Sequence, residues 1–347
     1  MRTTLKDVAM ASGLSMTTVS LVLNNKPNRI PPKTRDLIVR TAKKLNYRPN
    51  SIAVSMVTKK THTIGLILPD ISNLYFSSLA KTIEERFHQY GYNVFYGNTN
   101  GRPELDFEYL NLFIDRGVDA IIMTTSAYHD KRDNEILKQI YAANHIPIMM
   151  VDRGMNSSYF LSVEVDQKLG GFLATDYLIQ MGHRRIACLT GPKSLKISTD
   201  RLQGYRDALQ KASIPFDPAL VLEGNFGVES GAKALSYFLG QNATAVFCMN
   251  DMMAIGIYRE SRRYNICIPN NLSVIGFDDI FIDEFLEPPL STISQPIDEI
   301  GQYTVDKMMA VLSGKDDSPK AKLFKPVLKI RGSTAKNEKM TVKKELK

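Results

Sequence analysis

The spacing of apolar residues along this 347-residue chain changes near residue 62. Before that point apolar residues recur at helical spacing in three short segments, and the third is entered through Pro31 and Pro32. Their apolar positions are Leu5, Val8 and Ala9, then Val19, Val22 and Leu23, then Leu37, Ile38, Ala42 and Leu45. Three short helices without a convincing strand predict a small all-α domain.

After residue 62, apolar runs of strand length alternate with amphipathic stretches of helix length. The runs are residues 64–68, 93–96, 120–123, 147–151, 185–189, 244–248 and 272–276. Repeated β-α units predict parallel sheets that are covered by helices. About nine or ten strands are more than a single sheet usually contains. We therefore expect two similar lobes with a ligand cleft at the carboxyl ends of the strands.

Charge is unevenly distributed between these two regions. Residues 1–62 hold 12 Lys and Arg but only two carboxylates, Asp7 and Asp36, whereas the rest of the chain has a net charge of −2. A basic head indicates a polyanionic partner, either nucleic acid or an acidic membrane face. No apolar run has the length of a signal peptide or a membrane span, so we expect a cytoplasmic protein without a membrane partner.

Motifs of common enzyme and cofactor sites do not occur in the sequence. There is no G-x-G-x-x-G, G-x-x-x-x-G-K-[ST], G-x-S-x-G, H-E-x-x-H or C-x-x-C pattern, so we expect no enzyme activity, no cofactor and no metal. Cys188, Cys248 and Cys267 are odd in number and lie in apolar contexts, which favours buried free thiols. His183 follows a helical stretch and is interpreted as structural.

The first two helices have the pattern of a helix-turn-helix. Gly13 supplies the turn, and Ser15 can cap a second helix that begins at Met16. In such a motif the second helix enters the major groove, with Met16, Thr17 and Leu21 at the base edges. Side chains near phosphates would be Thr18, Ser20, Arg29, Lys33 and Arg35. The alternative is a small helical cap that happens to be basic.

The segment from Tyr47 to Val57 has the pattern of a very short helix. Asn50 after Pro49 is a suitable N-cap, and Ile52, Ala53 and Met56 fall on one side. A helix this short needs a partner surface, so the segment could fold on contact with that partner. A plain flexible tether is the alternative.

Together these motifs resemble those of the LacI/GalR family of bacterial repressors. The resemblance at the N-terminus covers Thr4 to Asn24 and Leu45 to Asn50. In the body it covers Ile64-Gly-Leu, Gly117-Val-Asp-Ala-Ile-Ile122, Gly182-His-Arg-Arg-Ile186, Arg201-Leu-Gln-Gly-Tyr205, Asn250-Asp-Met-Met-Ala254, Ile275-Gly-Phe-Asp-Asp279 and Pro288-Pro-Leu-Ser-Thr-Ile293. It implies a helix-turn-helix headpiece and a periplasmic-binding-protein-like α/β body of two flavodoxin-like lobes with parallel sheets, most like ribose-type regulators.

The resemblance also implies domain boundaries. The headpiece would be residues 1–48, the hinge helix and linker 49–62, and the effector-binding and dimerisation domain 63–335. Within that domain the N-lobe would be about 63–161 and 294–325, and the C-lobe about 162–293 and 326–335. Residues 336–347 would be a polar tail. The sequence from Ala335 onward lacks Leu heptads, so we expect a disordered tail and a homodimer rather than a tetramer.

Residues that would contact operator DNA follow from the family's motif. Leu21 stands where many members have Arg or His, Val54 where Arg is frequent, and Met56 at the position of the minor-groove wedge. The expected DNA-binding residues are Thr4, Ser15, Met16, Thr17, Thr18, Ser20, Leu21, Asn24, Arg29, Tyr47, Asn50, Ala53 and Met56.

A second set of residues would hold a small effector between the lobes. It consists of Tyr75, Phe76, Asn98, Ser126, Asp152, Arg153, Arg201, Phe226, Asn250, Asp278 and Gln295. Carboxylates, guanidinium groups and amides walled by aromatic rings suit a sugar or sugar phosphate. Leu195 and Ile197 stand where purine-responsive members use polar contacts, which argues against a purine. Structural alternatives are that Asp278 caps a helix or that Tyr75 and Phe76 are core, and Asp251 is expected to be a helix cap.

The function expected from this resemblance is repression of a carbohydrate-utilisation operon by occupancy of its operator. Two subunits would place two headpieces on a pseudo-palindrome in double-stranded DNA, and an effector in the cleft would favour or disfavour the hinge arrangement. Whether it acts as inducer or corepressor stays open. The rival classes are a transport-type sugar-binding protein, which would need an export signal, and a sugar-modifying enzyme, which would need a phosphate loop or an acid/base pair.

Overall fold

The computed structural model describes residues 3–24, 29–48, 55, 58, 60–126, 131–153, 160–315 and 321–337, with the backbone alone at residues 131–134. The chain forms two compact units, Met1–His62 and Thr63–Lys347. Among the described residues no helix is long and apolar enough to cross a membrane.

The N-terminal unit contains three helices, α1 (Leu5–Ser12), α2 (Met16–Leu23) and α3 (Pro32–Lys44). Thr4 forms a capping box with Asp7 at the start of α1, and Gly13 ends that helix with a left-handed φ of 66°. Ser15 accepts a hydrogen bond from the Thr18 N–H and so caps α2, as the sequence predicts.

The core of this unit is small. It consists of Val8, Ala9, Val19, Val22, Ile38 and Ala42, with Leu5, Leu14, Leu23, Ile30, Leu45 and Tyr47 packed around them. The predicted apolar faces are therefore confirmed except at Leu37. That residue is exposed because it lies about 100° around the axis of α3 from buried Ile38.

The second unit contains two six-stranded sheets, one in each lobe. The strands are β1 (Thr63–Leu68), β2 (Asn93–Asn98), β3 (Ala120–Met123), β4 (Ile148–Val151), β5 (Leu161–Val165), β6 (Ile186–Thr190), β7 (Val221–Glu223), β8 (Ala245–Cys248), β9 (Ser273–Asp278), β10 (Ser291–Ser294), β11 (Ala321–Phe324) and β12 (Val327–Lys329). The first sheet has the order β11-β5-β4-β3-β1-β2, and all of its strands are parallel. The second has the order β12-β10-β9-β8-β6-β7, in which only β12 runs antiparallel to its neighbour.

Helices cover both sheets and complete the two lobes. They are α4 (Leu74–Gln89), α5 (Pro103–Asp115), α6 (Lys131–Asn144), α7 (Gln167–Gln180), α8 (Lys196–Lys211), α9 (Val228–Gly240), α10 (Asp251–Arg263) and α11 (Ile297–Leu312). Short 3₁₀ turns occur at Pro218–Leu220 and Phe281–Phe285. The predicted fold class, a helix-turn-helix unit followed by a two-lobed α/β body with parallel sheets, is confirmed.

The chain passes three times between the lobes, after β5, after β10, and between β11 and β12. The strand Leu161–Val165 belongs to the first sheet, so the first passage comes a few residues later than the expected boundary at 161. All seven apolar runs predicted from the sequence form strands, each shifted by no more than two residues at either end.

The cysteines and His183 can be compared with the environments predicted for them. Cys188 and Cys248 are buried free thiols, but Cys267 is exposed because it lies in the turn after α10, where its N–H donates to Asn271. His183 is buried as a structural residue, with its ring nitrogens near Thr244 and Ser273.

The start of the predicted disordered tail is ordered instead. The Ala335 carbonyl lies 3.1 Å from His183 Nε2, and the Asn337 N–H donates to the Met181 carbonyl. These contacts attach residues 335–337 to the second lobe, and residues 338–347 lie outside the described residues.

Candidate functional site

A polar cavity lies between the two lobes and is built from the carboxyl ends of strands in both sheets. It is lined by Asn73, Tyr75, Phe76, Asp152, Arg153, Ile197, Arg201, Phe226, Asn250, Asp278 and Gln295. Nine of the eleven effector residues expected from the sequence thus line one cavity. Parallel strands bring their carboxyl ends to the same edge of a sheet, which explains why residues far apart in sequence meet here.

Two carboxylates face this cavity, one from each lobe. Asp152, directly after β4, accepts a hydrogen bond of 3.0 Å from the Tyr75 hydroxyl. Asp278, at the end of β9, accepts one of 2.7 Å from the Gln295 amide. Burial raises the pKa of Asp152 and raises that of Asp278 well above the usual carboxyl range.

An arginine stands beside each carboxylate, so the cavity is close to neutral. Arg153 Nε lies 3.8 Å from Asp152, and Arg201 Nη2 lies 3.9 Å from Asp278. Both pairs are almost completely buried. The carboxylates keep free lone pairs and the guanidinium groups keep free N–H groups. The two ion pairs can therefore accept hydrogen bonds from ligand hydroxyl groups and donate hydrogen bonds to them.

Arg201 is held in place from three sides. Its Nε donates to Gln167 Oε1 at 2.7 Å, its Nη1 donates to the Met249 carbonyl, and its guanidinium carbon lies 3.5 Å from the centroid of the Phe277 ring. Gln167 is not among the residues expected from the sequence. Its position in the first turn of a helix that directly follows a strand was the available signal.

Arg153 retains a donor that it does not use within the described residues. Its Nη1 donates to the carbonyls of Thr125 and Ser126, whereas its Nε is buried without a hydrogen-bond partner there. The guanidinium carbon also lies 5.3 Å from the centroid of the Phe76 ring. Because a buried donor without a partner is costly, a bound molecule that accepts from this N–H would be stabilised.

The helix α10 is capped by Asn250 rather than by Asp251. Asn250 is the N-cap of α10, since it accepts from the Met253 N–H, and its Nδ2 donates to the Phe226 carbonyl. Asp251 is the first helical residue, and the prediction that it caps α10 is wrong. Its carboxylate accepts instead from the backbone N–H of Asp279 and from the Thr292 hydroxyl.

Three residues that line the cavity have a positive φ although none is glycine. The φ angles are 66° at Asp152, 65° at Phe226 and 122° at Asp278. L-residues rarely adopt this region, and such strain is concentrated at sites that bind or react. The backbone thus supports the assignment of this cavity as the functional site.

Two of the expected residues lie outside the cavity. Asn98 accepts from the Ile71 N–H and donates to Asn100. These hydrogen bonds fix the turn before α4, and Asn98 does not line the cleft. Ser126 donates to buried Asp106 at 2.7 Å and lines a second cavity beside the first.

The second cavity shares Asn73, Phe76, Arg153 and Phe226 with the first. Asn73 was not identified from the sequence. Ile197, which the resemblance places at a position that affects effector choice, lines the first cavity.

The start of α2 in the N-terminal unit presents the residues expected to contact bases. Met16 and Thr17 are exposed, and Leu21 is half-buried on the same helix. Ser15 and Thr18 share a side-chain hydrogen bond, and Ser20 accepts from Asn24. Thr4, Asn24 and Arg29 are exposed, and Tyr47 packs against the core of the unit. Asn50, Ala53 and Met56, expected in the hinge segment, lie outside the described residues.

Family models match both units of the chain. Residues 4–50 match the model described as bacterial regulatory proteins, lacI family. Residues 61–331 match the model described as periplasmic binding proteins and sugar binding domain of LacI family. The two matches together cover nearly all of the described residues.

Individual relatives are similar over almost their full length. The chain is 34% identical to the HTH-type transcriptional regulator DegA of Bacillus subtilis, over 96% of this chain and 99% of that one. It is 33% identical to the HTH-type transcriptional repressor PurR of Vibrio atlanticus, over 90% of this chain and 93% of that one.

Solved structures show the same architecture. A lac repressor dimer bound to operator and the anti-inducer ONPF superposes with a TM-score of 0.84 at 27% identity, covering 96% of this chain and all of that one. A LacI family transcriptional regulator from Enterococcus faecium with bound ribose superposes with a TM-score of 0.72 at 31% identity, covering 79% of this chain and 99% of that one.

Proposed function

Because this chain belongs to the LacI family of bacterial regulatory proteins, we propose that it represses transcription by occupying an operator and that a neutral polyhydroxylated molecule in the interlobe cavity controls this occupancy. The N-terminal unit is the helix-turn-helix domain, and the second unit is the sugar-binding effector domain. The protein acts in the cytoplasm, at the nucleoid, on a carbohydrate-utilisation operon.

The pairing of Arg153 with Asp152 and of Arg201 with Asp278 carries the proposal about the effector. Each carboxylate is already balanced by one guanidinium group, so the cavity has no uncompensated positive charge for a phosphate. A sugar hydroxyl can donate to a carboxylate and accept from a guanidinium N–H, and a flat ring face can stack on Phe76 or Phe226. A neutral sugar therefore suits the site better than a sugar phosphate.

A thermal-shift panel tests the class of effector. The panel contains D-ribose, D-xylose, D-glucose, cellobiose, cytidine, D-ribose 5-phosphate and hypoxanthine, each added to the full chain. We expect at least one neutral sugar to raise the unfolding temperature, since a ligand that binds only the folded state stabilises it by mass action. Ile197 places an apolar side chain at the cavity, so hypoxanthine should have little effect.

Arg201→Ala tests the location of the site. It should abolish the shift produced by the sugar while leaving operator binding intact. Arg206→Ala is the matched control, because Arg206 lies on the same helix but packs against Phe216, away from the cavity. A normal shift in Arg201→Ala would show that the effector binds elsewhere.

The DNA-binding part of the proposal is tested by selection from genomic fragments. Purified protein is mixed with fragments of its own genome and excess nonspecific duplex, and the retained fragments are sequenced. Enrichment of a short pseudo-palindrome is expected, since two-fold symmetric dimers bind symmetric half-sites. If no sequence is enriched with or without the sugars of the panel, the headpiece does not recognise a specific DNA sequence.

Two variants separate the headpiece from the hinge segment. Met16→Ala should change the preferred operator sequence, with Met10→Ala as control because Met10 is exposed on α1. Met56→Ala should lower operator affinity without changing effector binding, because we propose that residues 49–62 form a hinge and that Met56 unstacks the central base step. Unchanged operator affinity in Met56→Ala would show that Met56 does not act as the minor-groove wedge.

A further inference from the structure

The second cavity is a continuation of the effector cavity rather than a separate site. Asn73, Phe76, Arg153 and Phe226 line both of them. The volume of the second cavity is about 290 Å³, close to the lower end of the range for sites that bury a small molecule. It can therefore hold a ligand unit of its own, beside the unit that occupies the effector cavity.

Loops that follow strands of both sheets form the second cavity. In the first lobe Asp70 follows β1, Asn100 follows β2 and Ser126 follows β3. In the second lobe Pro192 follows β6 and Asn225 follows β7. Because these are again the carboxyl ends of the strands, both cavities face the same ligand cleft.

The two cavities differ in charge. The effector cavity contains two carboxylate–guanidinium pairs, whereas Asp70 and Arg153 are the charged residues among those described that line the second cavity. The Asp70 carboxylate already accepts from the N–H of Ser72 at 2.9 Å and from its hydroxyl at 2.7 Å. Leu195 and Pro192 contribute apolar surface to the wall. The second cavity thus suits an uncharged unit with an apolar face.

Three amide side chains line the second cavity, those of Asn73, Asn100 and Asn225. Each uses its oxygen within the protein. In Asn73 and Asn225 the oxygen accepts from the backbone N–H two residues later, and in Asn100 it accepts from the Asn98 amide. What these side chains can offer to a ligand is therefore N–H donors, and hydroxyl and ether oxygens accept from such donors.

Arg153 and two aromatic rings stand where the two cavities meet. The Arg153 side chain is only 10% exposed, and its Nε–H has no hydrogen-bond partner among the described residues. Phe76 is buried, and the Phe226 ring packs so closely on Gly191 that a Cβ there would overlap it. The bridging oxygen between two sugar rings carries no hydrogen and can only accept, so it matches the unused donor of Arg153.

We propose that the effector is a neutral disaccharide that occupies both cavities. One ring lies in the effector cavity, between the two carboxylate–guanidinium pairs. The second ring lies in the second cavity, with an apolar face toward Leu195 and with its oxygens near the three amides, and the bridging oxygen accepts from Arg153 Nε. This inference rests on the proposed function and narrows it, since a monosaccharide would leave the second cavity without a ligand.

Calorimetry with the full chain tests the inference. The compounds are D-glucose, D-galactose and D-fructose, the disaccharides cellobiose, maltose, lactose, melibiose, trehalose and sucrose that are built from them, and cytidine, whose base is joined to its sugar without a bridging oxygen. We expect at least one disaccharide to bind at least about tenfold more tightly than either monosaccharide that it contains, because the second ring adds hydrogen bonds and apolar contact. Weak monosaccharide affinities are measured by competition with the disaccharide.

The outcomes separate this inference from the proposed function. If single sugars bind as tightly as the disaccharides that contain them, the proposed function stands and the inference is overturned. Tighter binding of cytidine than of every disaccharide also overturns it. If none of these compounds binds, the proposed sugar effector fails, and the inference fails with it.

Asn225→Ser tests the placement of the second ring. A serine hydroxyl can still accept from the Gly227 N–H and keep the turn, but the amide donors are lost. The affinity for the disaccharide should fall about fivefold, whereas the affinity for its monosaccharide should not change. Loss of affinity for both sugars, or for neither, would overturn the placement.

Tyr75→Phe is the matched comparison within the effector cavity. Tyr75 lines that cavity and not the second one, and its hydroxyl donates to Asp152. This variant should bind both the disaccharide and the monosaccharide more weakly. A thermal scan without sugar confirms that each variant is folded.

Discussion

Gln167 accepts a hydrogen bond of 2.7 Å from the Nε of Arg201, and both side chains are buried. This contact fixes the plane of the guanidinium group that faces Asp278 across 3.9 Å. Gln167 therefore influences the effector cavity although it does not line it.

Gln167→Met should weaken effector binding by leaving the Arg201 Nε without its acceptor. A lost hydrogen bond to a buried charged group costs ~1.5–3 kcal/mol, which corresponds to at least about a tenfold loss of affinity. Calorimetry with the sugar identified in the panel measures the loss, and operator binding should be unchanged. Gln180→Met is the control, because Gln180 is exposed on the same helix and donates its side-chain hydrogen bond to Asp176. Equal losses in both variants would contradict the positioning role of Gln167.

Gly204→Ala should damage the effector domain by forcing α7 and α8 apart. A Cβ at Gly204 would overlap the Lys168 carbonyl oxygen and lie 2.5 Å from the Phe172 nitrogen. Because backbone atoms cannot yield as a flexible side chain can, we expect a loss of ~1–3 kcal/mol in the free energy of unfolding, together with weaker effector binding. Urea unfolding measures the loss. Gly240→Ala is the control, since a Cβ at that position, the end of α9, would enter open space.

His183→Asn should make the effector domain less sensitive to acid. Burial lowers the pKa of His183, so as pH falls below about 6.5 the unfolded chain takes up a proton that the folded chain does not, and stability falls. Asparagine does not titrate, so the loss of unfolding temperature between about pH 7 and about pH 5 should be smaller, whereas the lost contacts with Thr244 and Ser273 should lower that temperature at about pH 8. His88→Asn is the control because His88 is exposed on α4. An identical acid response in wild type and His183→Asn would refute this account.

Ser15→Ala should loosen the recognition helix. The Ser15 hydroxyl caps α2 by accepting from the Thr18 N–H at 3.1 Å, and loss of an N-cap costs ~0.5–2 kcal/mol. We expect faster amide hydrogen exchange in Met16–Leu23 of the full chain and weaker operator binding. Ser12→Ala is the control, because the Ser12 hydroxyl only donates to the Ala9 carbonyl. Unchanged exchange in α2 would show that the cap is dispensable.

Strand periodicity predicted where the site lies but not which residues form it. The apolar runs indicated a ligand cleft at the carboxyl ends of the strands, and Asp152, Asn250 and Asp278 do follow or end such runs. The roles of these three residues were implied by the resemblance to the LacI/GalR family. Gln167 and Asn73 were not part of the set that the resemblance implied, and their neighbours in the site come from distant parts of the chain, so a local pattern could not identify them.

The errors have local physical causes. The choice between Asn250 and Asp251 as cap depends on backbone angles: Asn250 has an extended backbone, with a φ of −157°, whereas Asp251 is already the first helical residue. Five strands were not predicted from the sequence. The strands β7, β11 and β12 are short and mostly exposed, so they lack a periodic apolar signal. The strands β5 and β10 are buried, but polar residues such as Ser162, Ser291 and Thr292 interrupt their apolar runs. Cys267 was misplaced because its apolar neighbours lie in a turn rather than a strand.

The three passages of the chain between the lobes bear on how the protein is made at the ribosome. The first sheet gains its edge strand β11 only after the whole second sheet except β12 has been synthesised, because Ala321–Phe324 pairs with Leu161–Val165. The helix α11, which packs against α4, also comes from this late part of the sequence. During translation the N-terminal lobe therefore has an unpaired sheet edge and an uncovered face on α4 until about 160 further residues have been added. Both lobes reach their final form together, so we expect the nascent chain to depend on chaperones until β12 has left the exit tunnel.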